Sequence, residues 1–184
     1  YTVSRILETF DLRIIDVDEL PTHGGSLRVY ACHARDPRTV DKRVAEILNA
    51  EERAGLRRLD SYQAFQKRAD TVKDGLVRFL IEHKRAGRTV AAYGAAAKGN
   101  TLLNYGGIKP DLLPFVCDAA VSKQGKFLPG SHIPILPPSA IREHKPEFLL
   151  ILPWNIADEV MQQHDYINEW GGRFVVAVPE TRVL

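Results

Sequence analysis

TVAAYGAAAKGNT (Thr89–Thr101) reads as a buried strand running into a helix across a turn of small residues. Thr89 to Tyr93 carries no charge and suits a short strand, Gly94 frees the backbone from extended geometry, and a helix follows near Asn100 to Tyr105. At such a junction unpaired backbone N–H groups and the positive end of the helix dipole converge, and small residues let a ligand approach the backbone. The stretch therefore has anion-binding character, with Lys98 as an added charge. It is not the dinucleotide fingerprint G-x-G-x-x-G, because Ala96 stands where the second glycine belongs, and it lacks the Lys-Ser/Thr ending of a Walker A loop. The competing reading is close packing of helix on strand, with Lys98 in solvent.

Downstream the pattern alternates. Pro114 to Asp118 is a second strand, a loop rich in Gly and Pro leads to a strand at Ile133 to Leu136, and Pro138 to about His144 is helical. Phe148 to Leu152 is a strand, Ala157 to Trp170 a helix, and Arg173 to Val178 the last strand. Strands separated by helices of this length imply parallel βαβ units with right-handed crossovers, so the second half is a Rossmann-like α/β unit. Asp118 ends the second strand where dinucleotide folds place an acid for a ribose hydroxyl; a turn or capping role suits it equally. The loop after it, with Lys123 and His132, and the Trp154-Asn155 pair after a later strand fall at the same carboxyl edge, where open α/β sheets bind ligands. Trp170 is expected in the core.

Upstream, Val3, Ile6, Leu7 and Phe10 give the opening turns an apolar face, and Leu12 to Val17 and Leu27 to His33 pair as strands across the loop Pro21 to Ser26, with Leu27, Val29 and Ala31 on one face. One helix and two strands cannot bury their apolar faces alone, so this segment is expected to be the tail of another domain. From Pro37, placed in a first helical turn, to about Gly87 the pattern is helical, with a break around Gly55 to Ser61 and a second helix starting at Asp60 or Ser61. Its basic end, Glu82 to Gly87, reads as a solvated helix terminus.

With 184 residues, 45% of them hydrophobic, the chain can bury a core; its net charge of +2 gives no basic field for nucleic acid. Two cysteines, Cys32 and Cys117, exclude a disulfide scaffold and a cysteine-rich zinc site. Six histidines without i, i+4 pairing argue against a metal centre, and no G-x-S-x-G elbow marks a nucleophile. No apolar run approaches the ~20 residues of a membrane span, and the first twenty residues carry acids where a secretory signal would be basic and then apolar, so a cytoplasmic protein is expected. A chain opening at Tyr1, with Met161 its one methionine, is expected to be processed or excised.

The strings PTHGGSLR (Pro21–Arg28) and GAAAKGNTLLNY (Gly94–Tyr105) together resemble the S-adenosylmethionine-dependent sugar C-methyltransferases of deoxysugar pathways. Supporting matches are Asp118, Lys123-x-Gly125, Pro129-Gly130-x-x-Ile133-Pro134 and Leu152-Pro153-Trp154-Asn155, in family order over essentially the whole chain. The resemblance implies residues 1–36 as the closing helix and hairpin of a central methyltransferase domain, 37–88 as a helical connection and 89–184 as a Rossmann-like C-terminal domain. It places a zinc-binding domain, the S-adenosylmethionine motif and the catalytic acid and base upstream of Tyr1, leaving no catalytic residue here. The implied reaction removes the C-3 proton of a nucleotide-linked 4-keto deoxysugar, and the resulting enolate carbon takes the methyl group. For this chain it implies substrate binding: the diphosphate, thymidine-linked, near Gly94, Ala95, Ala96, Lys98, Gly99, Asn100, Thr101 and Asp118, with His23, Gly24, Gly25, Ser26 and Arg28 at the junction with the upstream domains. Thymidine nucleotides lack a ribose 2'-hydroxyl, so the usual role of such an acid does not carry over directly to Asp118. A stand-alone nucleotide or dinucleotide-binding module and a structural dimerisation domain are the rival readings.

Overall fold

Alternate residues of the strands in the second half face opposite ways, and both directions are apolar. Val90, Ala92, Val116, Phe148, Leu150 and Val175 pack with Leu76, Leu80 and Leu103, whereas Ala91, Tyr93, Cys117, Leu149, Ile151 and Val176 pack with Ile141, Val160 and Ile167. A sheet apolar on both faces needs a helical layer on each, and that is the architecture found. The computed structural model describes the backbone of all 184 residues and every side chain except that of His23. The chain forms two compact units, Tyr1–Lys67 and Arg68–Leu184.

The first unit contains α1 (Thr2–Glu8), β1 (Leu12–Leu20), a 3-10 turn at Thr22–Gly24, β2 (Ser26–His33), α2 (Lys42–Arg53) and the start of α3 (Leu59–Arg85). β1 and β2 pair antiparallel, with a register shift between Ile14 and Asp16. Such a bulge bends the strand and alters which side chains share a face. The shift lies in β1, so β2 keeps its alternation: Leu27, Val29 and Ala31 share one face, with Leu27 and Val29 gathered beside Ile14 and Val17, while Cys32 on the other face is buried. Pro37 stands outside any helix; α2 starts later because Asp41 caps it, accepting the Arg43 N–H at 2.9 Å. Arg43 also ties α2 to β1 through Asp18 at 2.6 Å and Asp16. Val17 and Cys32 are the buried apolar side chains among the described residues of this unit, while Ile6, Phe10, Leu59 and Phe65 are each more than half exposed.

The second unit takes the rest of α3, then β3 (Val90–Tyr93), α4 (Ala97–Tyr105), β4 (Val116–Cys117), β5 (Ile135–Leu136), α5 (Ser139–His144), β6 (Phe148–Ile151), α6 (Ala157–Gln163), β7 (Arg173–Val176) and β8 (Arg182–Val183). Leu76 and Leu80 of α3 are fully buried, and truncating either to Ala is worth about 2–5 kcal/mol. The sheet order is β5-β4-β3-β6-β7-β8, parallel except for β8. Counted within the unit this is 3-2-1-4-5-6, the Rossmann order, and the chain reverses its direction of travel between β3 and β6. The sheet is therefore mixed rather than purely parallel. Two local expectations shift: α4 begins at Ala97 rather than near Asn100, and the Ala157 to Trp170 helix breaks at His164, after which Asp165–Trp170 is 3-10. Trp170 packs on the core and donates its indole N–H to the Pro146 carbonyl at 3.0 Å.

Candidate functional site

At the carboxyl ends of β3 and β6 lies the point where an open α/β sheet forms a crevice, because connections leave neighbouring strands in opposite directions. Two turns meet there. The first, Gly94 to Ala96, leaves β3. Gly94 has φ +94°, and a Cβ on it would lie 2.5 Å from Pro153 Cδ, so glycine is required by both backbone and neighbour. The second turn, Leu152 to Asn155, leaves β6 and supplies that Pro153. Gly99, one turn into α4, packs on Leu152; a Cβ there would stand 2.6 Å from Leu152 Cβ.

Helix α4 starts without a side-chain cap at Ala96. Asn100 N–H makes the first helical bond, to the Ala96 carbonyl, while the N–H groups of Ala97 and Gly99 have no partner among the described residues. Lys98 extends from the same turn; its Nζ lies 3.2 Å from Asn155 Oδ1 and 5.8 Å from the centre of the Trp154 ring. Unpaired donors, the helix dipole and an ammonium thus share one edge, an arrangement that attracts an anion.

Asp118 is buried at the end of β4 and is fully engaged within the chain. Oδ2 accepts the Ala95 N–H at 2.7 Å and Lys123 Nζ at 3.0 Å, and Oδ1 accepts the Ala120 N–H at 2.8 Å. Burial pushes its pKa up, but the Ala120 N–H, the Lys123 ammonium and the Ala95 N–H together hold the carboxyl below its usual range. Lys123 also donates to the Ala95 carbonyl at 3.0 Å. Sequence reasoning placed Lys123 in the loop without a role; the signal was an acid at a strand end followed five positions later by a lysine. Behind the turn, the Tyr93 ring packs at a tilt against His164, with centres 4.3 Å apart, and burial raises the pKa of the Tyr93 hydroxyl and lowers that of the His164 imidazole.

The remaining candidates divide. Thr101 Oγ1 returns to the Ala97 carbonyl at 3.0 Å and Asn100 Oδ1 is buried without a partner among the described residues. Gly24, Gly25, Ser26 and Arg28 belong to the first unit, where Gly24 and Gly25 take positive φ and Ser26 Oγ donates to the Thr22 carbonyl at 3.0 Å; the His23 side chain lies outside the described residues.

The family of C-methyltransferase C-terminal domains matches residues 21–179. This chain belongs to that family. It is also 39% identical over 180 residues to C-methyltransferase NovU of Streptomyces niveus, a match covering 97% of this chain and 43% of the relative. The chain thus spans less than half of the curated relative it matches.

Cofactors implied by such enzymes find no fit in the turn of this C-methyltransferase C-terminal domain. The space beside Gly94 and Gly99 is filled by Pro153 and Leu152, and the Asp118 oxygens that would chelate a ribose are already bonded. A bulky adenosyl group has neither cradle nor diol acceptor there. Among the described residues no three His, Cys, Asp or Glu side chains gather as a metal site. No helix among the described residues is long and apolar enough to cross a membrane.

Proposed function

We propose that this chain is the substrate-binding C-terminal portion of an S-adenosylmethionine-dependent C-methyltransferase that acts on a nucleotide-linked 4-keto deoxysugar in the cytoplasm. The observation that carries the reading is the uncapped start of α4, with the Ala97 and Gly99 N–H groups beside Lys98 at the sheet's switch point. A diphosphate there would accept from backbone donors and neutralise the ammonium, with Trp154 and Asn155 walling the site. The chain's chemical contribution is then to hold and orient the sugar nucleotide, which is worth a large share of the barrier when two reactants must be aligned. S-adenosylmethionine, the zinc domain and the catalytic acid and base are assigned to other parts of the enzyme. The exposed apolar side chains of the first unit, Ile6, Phe10, Leu59 and Phe65, suit burial against those parts.

Close packing alone explains Gly94 and Gly99. It leaves the α4 donors unexplained, which favours the binding reading. Calorimetric titration of the chain with thymidine diphosphate, NAD and S-adenosylmethionine separates the alternatives. Weak binding of the first and none of the others is expected. Lys98→Ala should weaken it about tenfold or more, the scale of a hydrogen bond to a charged group. Tight NAD binding would overturn the proposal in favour of a dinucleotide module.

A further inference from the structure

The peptide groups of Ala95 are held from both sides by two side chains that also hold each other. Asp118 Oδ2 accepts the Ala95 N–H at 2.7 Å, Lys123 Nζ donates to the Ala95 carbonyl at 3.0 Å, and Lys123 and Asp118 pair at 3.0 Å. The ring they close with the backbone sits between Gly94, the residue that lets the chain turn, and Ala96, the N-cap of α4. Its base is anchored independently. Asp118 Oδ1 accepts the Ala120 N–H, Gln124 Nε2 donates to the Asp118 carbonyl at 3.0 Å, and the Asp118 N–H donates to the Leu136 carbonyl at 3.1 Å, so the carboxylate is fixed to β5 and to its own loop.

Elsewhere the turn is held by backbone alone, the Gly94 N–H to the Cys117 carbonyl at 2.7 Å and the Ala96 N–H to the Gly94 carbonyl at 2.8 Å. The second bond closes over Ala95, joining the Gly94 carbonyl of the 94–95 peptide to the N–H of the 95–96 peptide, and the two groups it leaves, the Ala95 N–H and carbonyl, are those that Asp118 and Lys123 hold against rotation of the 95–96 peptide. A small rotation there would swing the first turn of α4 and the direction of its N–H groups. Charge-assisted hydrogen bonds are the strong members of their class and suit this restraint.

We propose that Asp118 and Lys123 are positioning residues, a clip that fixes the Gly94–Ala96 turn and thereby aims the Ala97 and Gly99 N–H groups, without themselves touching the bound diphosphate. The role in ligand binding rests on the diphosphate reading above; the restraint on the turn does not. Lys123, with a side chain 42% exposed, can be altered without opening the core, and Asp118→Asn keeps the volume of the buried Asp118 side chain.

The test uses the 184-residue chain with Lys123→Met, Asp118→Asn, both together, and Lys123→Arg as the conservative rescue. Two quantities are read: hydrogen–deuterium exchange over Tyr93–Gly99 and the affinity for thymidine diphosphate. Either single change should speed exchange in that segment by about tenfold, with exchange in β6 and β7 unchanged. The double change should be no faster than the worse single one, because both residues serve one device. Affinity should fall in step, and Lys123→Arg should restore both. Unaltered exchange with weakened binding would make Lys123 a direct ligand contact and overturn the clip, as would additive effects. If the unaltered chain does not bind thymidine diphosphate, the diphosphate reading fails, and the exchange result alone then upholds or overturns the clip.

Discussion

Replacing Gly94 by alanine tests whether the turn leaving β3 is dictated by packing as well as by backbone conformation. At φ +94° an L side chain costs about 1–2 kcal/mol. The new methyl would also stand 2.5 Å from Pro153 Cδ and 2.9 Å from Cγ, in a rigid ring that cannot rotate away. Overpacking of that kind costs about 1–3 kcal/mol, for a total of about 2–5 kcal/mol, a large part of the ~5–15 kcal/mol that holds a typical domain. Gly171→Ala is the matched control: φ is +76° and nothing lies within 4 Å of the added Cβ, so it carries the conformational cost alone. Urea unfolding followed by tryptophan fluorescence suits the purpose, since Trp154 and Trp170 both lie in the second unit and report on it specifically. Adding Pro153→Ala to Gly94→Ala should recover about 1–3 kcal/mol beyond additivity. A Gly94→Ala loss equal to that of Gly171→Ala, with no coupling to Pro153, would refute the packing argument.

The two other measurements concern titration and reactivity. Burial pushes the Cys117 thiol up to about 12, and its side chain is fully buried, so it should resist iodoacetamide at pH 8 in the folded chain and react in urea, as read by mass spectrometry. The same shift means that Cys117 contributes stability below about 9, its ordinary value, which is lost as pH rises toward 12. His164 is buried with Nε2 unpartnered among the described residues and Nδ1 at 3.0 Å from the Tyr166 hydroxyl. Burial lowers its pKa from 6.5, so the fold favours the neutral ring; its contribution is present above 6.5 and lost as pH falls below it. His164→Gln should flatten the decline in unfolding free energy between pH 7 and pH 5; an unchanged slope would mean that other groups, His83 among them, carry it.

The strands of the second unit were readable because each is a short apolar run between turn residues, and the parallel order followed from the helices between them. β8 was not readable: Arg182–Val183 is two residues long, and it forms because β7 leaves an edge that the returning tail can pair with. The break at His164 was hidden by the apolar spacing of Val160, Ile167 and Trp170, which continues through the 3-10 turn. For the site, the pattern of small residues located the turn, but not what stands against its glycines, since Pro153 and Leu152 arrive from 59 and 53 positions away along the chain. Asp118 was visible as an acid at a strand end. That its oxygens are spent on Ala95, Ala120 and Lys123 depends on a loop conformation that no local pattern encodes.

The pairing of β3 with β6 also governs when the crevice can come into being. Val90 meets Phe148, 58 positions on, whereas β3 meets β4 across only 24, from Ala92 to Val116. The longer closure costs only about 0.8 kcal/mol more in chain entropy, so order of formation is set less by cost than by synthesis: β6 must have emerged before Pro153 can seat against Gly94. Until then the strand, the glycine and the start of α4 exist without their wall. The turn is accordingly not a portable motif, and grafting Thr89–Thr101 onto another sheet would transfer its sequence without the shape that makes it a site.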